Sequence, residues 1–196
     1  MARTATLART TSETEISLSL DLDGSGRGDI ATGIGFLDHM LTAFARHALF
    51  DLAVRATGDL HIDAHHTTED VGIVLGRALN AALGEKRGIR RFGQALVPMD
   101  EALVEAAVDI SGRAHLAWSV AFEQATLGDM DTALFEEFFR ALAANALITL
   151  HITARAGRNA HHVAEACFKA AARALRVASE VDPRAGDAVP STKGTL

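Results

Sequence analysis

The sequence predicts an α+β fold built from one unit repeated in tandem. Three observations carry this reading: a histidine-pair motif that occurs twice, strand and helix periodicities that recur in the same order, and turn residues at matching spacings. His65-His66-Thr67-Thr68-Glu69 returns as His161-His162-Val163-Ala164-Glu165. Arg77-Ala78-Leu79 returns as Arg173-Ala174-Leu175 at the same distance from its histidine pair. Upstream, residues 36–44 align with 134–142, and the match runs on through Ala48-Leu49 and Ala146-Leu147. This alignment sets Glu137 opposite His39. Glu13, Asp21 and Gly24 share their mutual spacing with Glu101, Asp109 and Gly112.

The elements follow in order. Ile16, Leu18, Leu20 and Leu22 alternate with polar residues, the period of a half-buried strand, and Asp23-Gly24-Ser25-Gly26 signals a turn. Leu37, Met40, Leu41, Phe44 and Ala48 fall on one helical stripe over 37–48. Leu52, Val54 and Leu60 suggest a strand broken at Gly58. A second helix spans 66–83, with Val71, Val74, Leu75, Ala78, Leu79 and Ala82 inward. The second half repeats the pattern through strands over 103–110, 116–122 and 148–154 and helices over 133–147 and 162–179. Each half therefore reads strand, strand, helix, strand, helix. That order predicts a mostly antiparallel sheet with helices on one face. The repeats divide as 1–90 and 91–196, related by a pseudo-twofold. No Pro/Gly/Ser-rich linker separates them, so they are expected to share one core.

Composition bounds the function. The 196 residues are 48% hydrophobic, enough for a packed core. A formal charge of −6 gives no electrostatic footprint for nucleic acid. The first residues lack a signal-peptide apolar run, and no stretch reaches membrane-spanning length. The single cysteine, Cys167, fits a reducing compartment. The expectation is a soluble, cytoplasmic protein with no nucleic-acid or membrane partner.

Four of the nine histidines lie in the two adjacent pairs. On a helix, residues three and four apart share a face, so each pair can meet its glutamate. Adjacent histidines diverge by about 100°, so they can serve different metals. Imidazole and carboxylate without cysteine favour Mn, Fe, Zn or Ni. The order His-His-x-x-Glu is not the His-Glu-x-x-His of a zinc protease. His47, His61, His115 and His151 lack the pattern and read as surface or core histidines. Basic residues suited to an anion stand at Arg90-Arg91, Arg113, Lys169 and Lys193. These residues alone leave open a dinuclear hydrolase with a bridging hydroxide, or a protein that stores metal without catalysis.

Longer motifs add a resemblance. Residues 33–41, 58–70, Pro98-Met99-Asp100-Glu101-Ala102, Asp109-Ile110-Ser111-Gly112-Arg113, 157–162 and Pro190-Ser191-Thr192-Lys193-Gly194 resemble, in order, the signatures of the imidazoleglycerol-phosphate dehydratase family. The resemblance covers nearly the whole chain. It implies units like the second domain of ribosomal protein S5, assembled as a cage of twenty-four subunits with sites completed across subunit contacts. It implies a hydro-lyase of histidine biosynthesis that converts D-erythro-imidazole glycerol phosphate to imidazole acetol phosphate. Two divalent ions per chain are implied, Mn²⁺ the favoured metal, on His39, His65, His66, Glu69, Glu137, His161, His162 and Glu165. At Glu137 the family's familiar form carries histidine. The resemblance places phosphate on Arg91, Arg113, Lys169, Ser191 and Lys193, and substrate on Glu13. A glutamine that some relatives carry is Ala43 here.

The implied chemistry is unusual because no carbonyl acidifies the hydrogen to be removed. Were both ring nitrogens held by metal, the substrate would become an imidazolate that could expel the adjacent hydroxide and be left as a diazafulvene. Proton loss and tautomerisation then give the ketone. A carboxylate must move the protons, and Glu13, Glu69 and Glu165 are the candidates.

Overall fold

A computed structural model of the chain describes residues 2–196. The first half runs β1 (Thr4–Thr10), β2 (Thr14–Asp21), β3 (Gly28–Ala31), α1 (Gly35–Ala48), β4 (Asp51–Gly58) and α2 (His65–Leu83). The second runs β5 (Phe92–Met99), β6 (Ala102–Asp109), β7 (His115–Ser119), a hairpin of β8 (Thr126–Leu127) and β9 (Met130–Asp131), α3 (Leu134–Ala146), β10 (Thr149–Ala156) and α4 (Ala160–Ser179). The two four-stranded sheets have the same order, β1-β2-β4-β3 and β5-β6-β10-β7. In each, two pairings are antiparallel and the last, β3 with β4 or β7 with β10, is parallel. Duplication is therefore visible in topology as well as in sequence.

The four helices match the periodicity reading to within two residues at each end. Three strand readings need correction. Each four-stranded sheet takes three strands from ahead of its half's first helix, more than the periodicity predicts: β1 and β3 in the first half and β5 in the second go unpredicted. β1 is an edge strand whose residues are at most half-buried, which weakens the alternation in its sequence. β3 is only four residues long. Leu60 lies in a turn beyond β4, and β7 stops at Ser119. The β8–β9 hairpin belongs to the second half alone, in the connection between β7 and α3.

Helices α1 and α2 cover one face of the first sheet, and α3 and α4 cover one face of the second. The halves then meet helix to helix, α2 on α3 and α1 on α4, with the sheets outermost. Strands β2 and β6 each bury every second side chain, Ile16, Leu18 and Leu20 in one, Val104, Ala106 and Val108 in the other. One contiguous core holds residues of both halves. Its centre is aromatic: Phe135, Phe138, Phe139 and Phe168 are fully buried and in mutual contact. No helix among the described residues is long and apolar enough to cross a membrane.

The two helix contacts differ in closeness. Gly72 and Gly76 let α2 approach the α3 backbone: an added Cβ would stand 2.7 Å from the Phe138 carbonyl oxygen and 2.5 Å from that of Leu142. The matching residues of α4 are Phe168 and Ala172. Overpacking such a contact costs about 1–3 kcal/mol. Gly76→Val is therefore expected to lower the denaturant midpoint. Gly35→Ala, with open space around its Cα, is expected to leave the midpoint within error in the same urea titration.

Candidate metal centre and active site

The residues that would hold metal stand at the starts of all four helices, Glu137 in the first turn of α3 and the rest on α1, α2 and α4, whose starts are fixed locally. In α4, the Asn159 Oδ1 accepts the backbone N–H groups of His161 (3.0 Å) and His162 (3.4 Å), satisfying donors that a helix N-terminus leaves open. In α2, Asp63 Oδ1 accepts the His65 N–H at 2.8 Å. In α1, Asp38 Oδ1 accepts the Thr32 N–H (2.8 Å) and hydroxyl (2.6 Å), which sets the turn on which His39 rides.

Packing of α1 on α4 then brings His39 from the first half to His161 and Glu165 of the second. Among the described residues these three form a group whose ligand atoms all lie within 4.8 Å of one another. Glu165 Oε2 is 3.3 Å from His39 Nε2 and 3.1 Å from His161 Nε2. Its other oxygen, Oε1, accepts from Lys169 Nζ at 2.7 Å. Burial works to raise the Glu165 pKa, but the Lys169 ammonium, with His161 and His39, brings it below the usual carboxylate value. An anionic carboxylate flanked by two imidazoles is a nitrogen and oxygen donor set that suits a borderline or hard divalent ion.

The pseudo-equivalent set, His65, Glu69 and Glu137, is looser. His65 Nε2 is 3.9 Å from Glu69 Oε2. Glu137 is half-exposed, 3.8 Å from Arg140 Nε, while its neighbour Glu136 is hydrogen-bonded to the same arginine. His39 and His65 nevertheless line one cavity of about 1000 Å³, whose walls include Phe36, Leu60 and the β8–β9 hairpin.

His66 and His162 do not join either group within the chain. The His66 Nδ1–H donates to Asp59 Oδ2 at 2.9 Å, and the His162 Nδ1–H donates to Glu101 Oε2 at 2.7 Å. Each ring therefore keeps Nε2 as the nitrogen available to a metal, the arrangement in which a carboxylate orients a ligand histidine. The Asp59 carboxylate raises the His66 pKa above its ordinary value, and Glu101 does the same for His162. Glu101 itself is pulled down to about 2, first by His162 and then by the Asn159 and Arg158 amides. Sequence reasoning gave Asp59 no role and saw Glu101 only as the partner of Glu13. Asp59 stands seven residues before His66 but in a loop outside α2, so no helical phase marks the pair. Glu13 Oε1 stands 3.9 Å from His66 Nε2.

The basic residues fall into two places. The Arg91 guanidinium grips Asp109 with two N–H groups (2.7 and 3.2 Å) and donates to the Pro190 carbonyl at 2.9 Å, which ties the tail to the end of β6. Ser191 and Lys193 follow Pro190 in that tail, and the Ser191 hydroxyl accepts the Lys193 N–H. Arg113, with its side chain 68% exposed, lies 3.9 Å from Asp109. Lys169 is elsewhere, on Glu165. Asp109 pairs with Thr149 at the start of β10, whereas His161 follows its end. The eight residues of β10, roughly 25 Å at strand rise, separate the two groups. Within one chain, Arg91, Arg113, Ser191 and Lys193 therefore do not face the metal-type residues.

These features define a class: a duplicated α+β protein with imidazole–carboxylate clusters at its helix starts, suited to divalent metal. The comparisons narrow it. A family model described as imidazoleglycerol-phosphate dehydratase matches residues 32–175. A protein of that name from Granulibacter bethesdensis is 74% identical over all 196 residues of both chains. Another of that name, from Gluconacetobacter diazotrophicus, is 68% identical over 100% of this chain and 98% of its own. The crystal structure of the dehydratase from Staphylococcus aureus superposes with a TM-score of 0.83 at 41% identity, over 91% of this chain and 99% of that one. The Pyrococcus furiosus structure, in complex with (S)-C348, gives 0.84 at 42% identity, over 97% and 100%. The chain belongs to the imidazoleglycerol-phosphate dehydratase family. That family is one of metal-dependent hydro-lyases.

Two outcomes are expected from this geometry. A proton on Nε2 of His66 or His162 competes with metal, and both rings hold their protons above the ordinary value near 6.5. Metal affinity should be full at alkaline pH and should fall as pH drops through the raised values, beginning above about pH 6.5. Chelator competition across that range reads it directly. At the looser set, Glu137→Ala should cost one bound ion and Glu137→His should retain it, while Glu136→Ala, about 100° around the helix, should be silent. Elemental analysis of the three variants distinguishes a ligand from a surface glutamate.

Proposed function

We propose that this chain is a hydro-lyase that dehydrates D-erythro-imidazole glycerol phosphate to imidazole acetol phosphate in L-histidine biosynthesis, in the cytoplasm. The observation that carries the reading is the convergence of His39, His161 and Glu165 from two halves of a duplicated fold, in a chain belonging to this family. His39, His66, His161 and Glu165 would hold one divalent ion, and His65, Glu69, Glu137 and His162 a second, Mn²⁺ the favoured metal. Bound there, such ions would supply Lewis acidity to the substrate's imidazole, which would ease the departure of the adjacent hydroxyl.

The chain's own groups do the rest. Glu13, Glu69 and Glu165 are the carboxylates proposed to take the carbon-bound proton and to protonate the leaving hydroxyl. Arg91, Arg113, Lys169, Ser191 and Lys193 are proposed to grip phosphate and so orient the reacting carbons from a distance. Imidazole and phosphate sit on a chain of only three carbons, far shorter than β10. A site using both residue groups must draw them from different copies of the chain. This separation supports a homo-oligomer with shared sites, and we take the assembly to be a 24-mer of units divided as 1–90 and 91–196.

The test is turnover of imidazoleglycerol phosphate with and without added Mn²⁺. Metal-dependent formation of the ketone is expected; Mn²⁺ binding with no product would overturn the assignment. Arg113→Ala should raise KM with metal content unchanged, because a lost charge-assisted hydrogen bond costs about 1.5–3 kcal/mol.

A further inference from the structure

Duplication gives each half a glutamate directly ahead of its second strand, Glu13 before β2 and Glu101 before β6. Their carboxylates are used differently. Glu101 Oε2 accepts from His162 Nδ1 at 2.7 Å, and its Oε1 accepts the backbone N–H groups of Asn159 (2.8 Å) and Arg158 (3.2 Å). Both oxygens are committed to the start of α4. The Glu13 carboxylate makes no hydrogen bond among the described residues; it faces His66 Nε2 at 3.9 Å.

The difference has a local cause. In the first half the His66 Nδ1–H is taken by Asp59, in the loop after β4. Asp59 is 13% exposed and its Oδ1 is buried without a partner, so its charge rests on His66. The matching position after β10 is Gly157. No side chain can stand there: φ is +130°, and an added Cβ would lie 2.7 Å from Val163 Cγ2 and 2.9 Å from Ala102 Cβ. The second half cannot supply a carboxylate from that position, and Glu101 fills the need.

We propose that Asp59 and Glu101 are positioning residues that do one job from two unrelated places, each holding a histidine with Nε2 presented to metal. With Asp59 doing it in the first half, Glu13 is left free to act as a proton-transferring carboxylate, while its duplicate Glu101 is not. A neutral imidazole has one donor and one acceptor nitrogen, so a carboxylate on Nδ1–H fixes the acceptor at Nε2 and fixes the ring's rotation. The inference rests on the metal-dependent dehydratase reading, and it assigns non-equivalent roles to two glutamates that the repeat makes equivalent.

The test compares Asp59→Asn, Glu101→Gln and Glu13→Gln in the full-length assembly, measuring Mn²⁺ affinity by chelator competition and steady-state kinetics separately. Asp59→Asn and Glu101→Gln should each weaken Mn²⁺ by about 10- to 100-fold, and excess Mn²⁺ should restore their kcat at unchanged KM. Glu13→Gln should bind Mn²⁺ as the parent chain does and lose about 100-fold or more in kcat, with no rescue by metal. Parent-like Mn²⁺ affinity in Glu101→Gln would overturn the positioning role. So would metal loss in Glu13→Gln equal to that in Asp59→Asn. A parent chain that binds Mn²⁺ but does not dehydrate the substrate would remove the dehydratase reading and Glu13's role. The affinity arm would still decide Asp59 and Glu101.

Discussion

The contact between helices of opposite halves is the constraint on which the site depends. His39 and Glu165 are 126 residues apart, yet they meet because α1 and α4 share a layer between two sheets. That layer exists because each sheet buries one face under two helices and each helix pair still has apolar surface to cover. Neither half could satisfy this alone. The ligand geometry is thus set by core packing, in which the buried Phe168 of α4 and its aromatic neighbours stand where α2 has Gly72. Displacing α1 along α4 by one residue would move His39 about 1.5 Å along the axis and 100° around it, enough to dismantle the group.

Much of this was legible in the sequence. The helices were, because their apolar stripes are long and sustained. The tandem copy was, because residues such as Arg77 and Arg173 repeat at fixed distance from a histidine pair. The association of His161 with Glu165 follows from four-residue spacing on a helix. The association of His39 with them does not; it came from family resemblance, and in physical terms it requires knowing which helices touch. Strands β1, β3 and β5 escape because two edge strands and a four-residue strand carry little periodic signal. Asp59 escaped because its partnership with His66 is made through a loop, whose geometry no period describes. The distance between Arg113 and His161 was equally hidden, since sequence order says nothing of which end of β10 a turn occupies.

The two halves also show how far copies of one unit can diverge without losing topology. Sheet order is retained, and so is strand register apart from a bulge between Ala154 and Ala156 of β10. Gly72 against Phe168, Asp59 against Gly157, and the added β8–β9 hairpin are where the copies part. Gly72 lies against the other half and the hairpin lines the cavity between His39 and His65, while Asp59 and Gly157 differ within their own halves, beside the histidine pairs. Divergence is concentrated where the pseudo-twofold no longer demands equal environments.

The separation of Arg113 from His161 along β10 has a consequence for inheritance. If a working site takes its metal ligands from one copy and its phosphate grip from another, a lesion at Arg113 injures a neighbour's centre and leaves its own ligands intact. Two defective alleles, one altered at each end of β10, could then restore some complete sites when expressed together. A single altered allele could also poison sites in assemblies it joins. Selection on this chain would act on the mixture of copies in an assembly, and the phenotype of a substitution would depend on which end of one strand it lies.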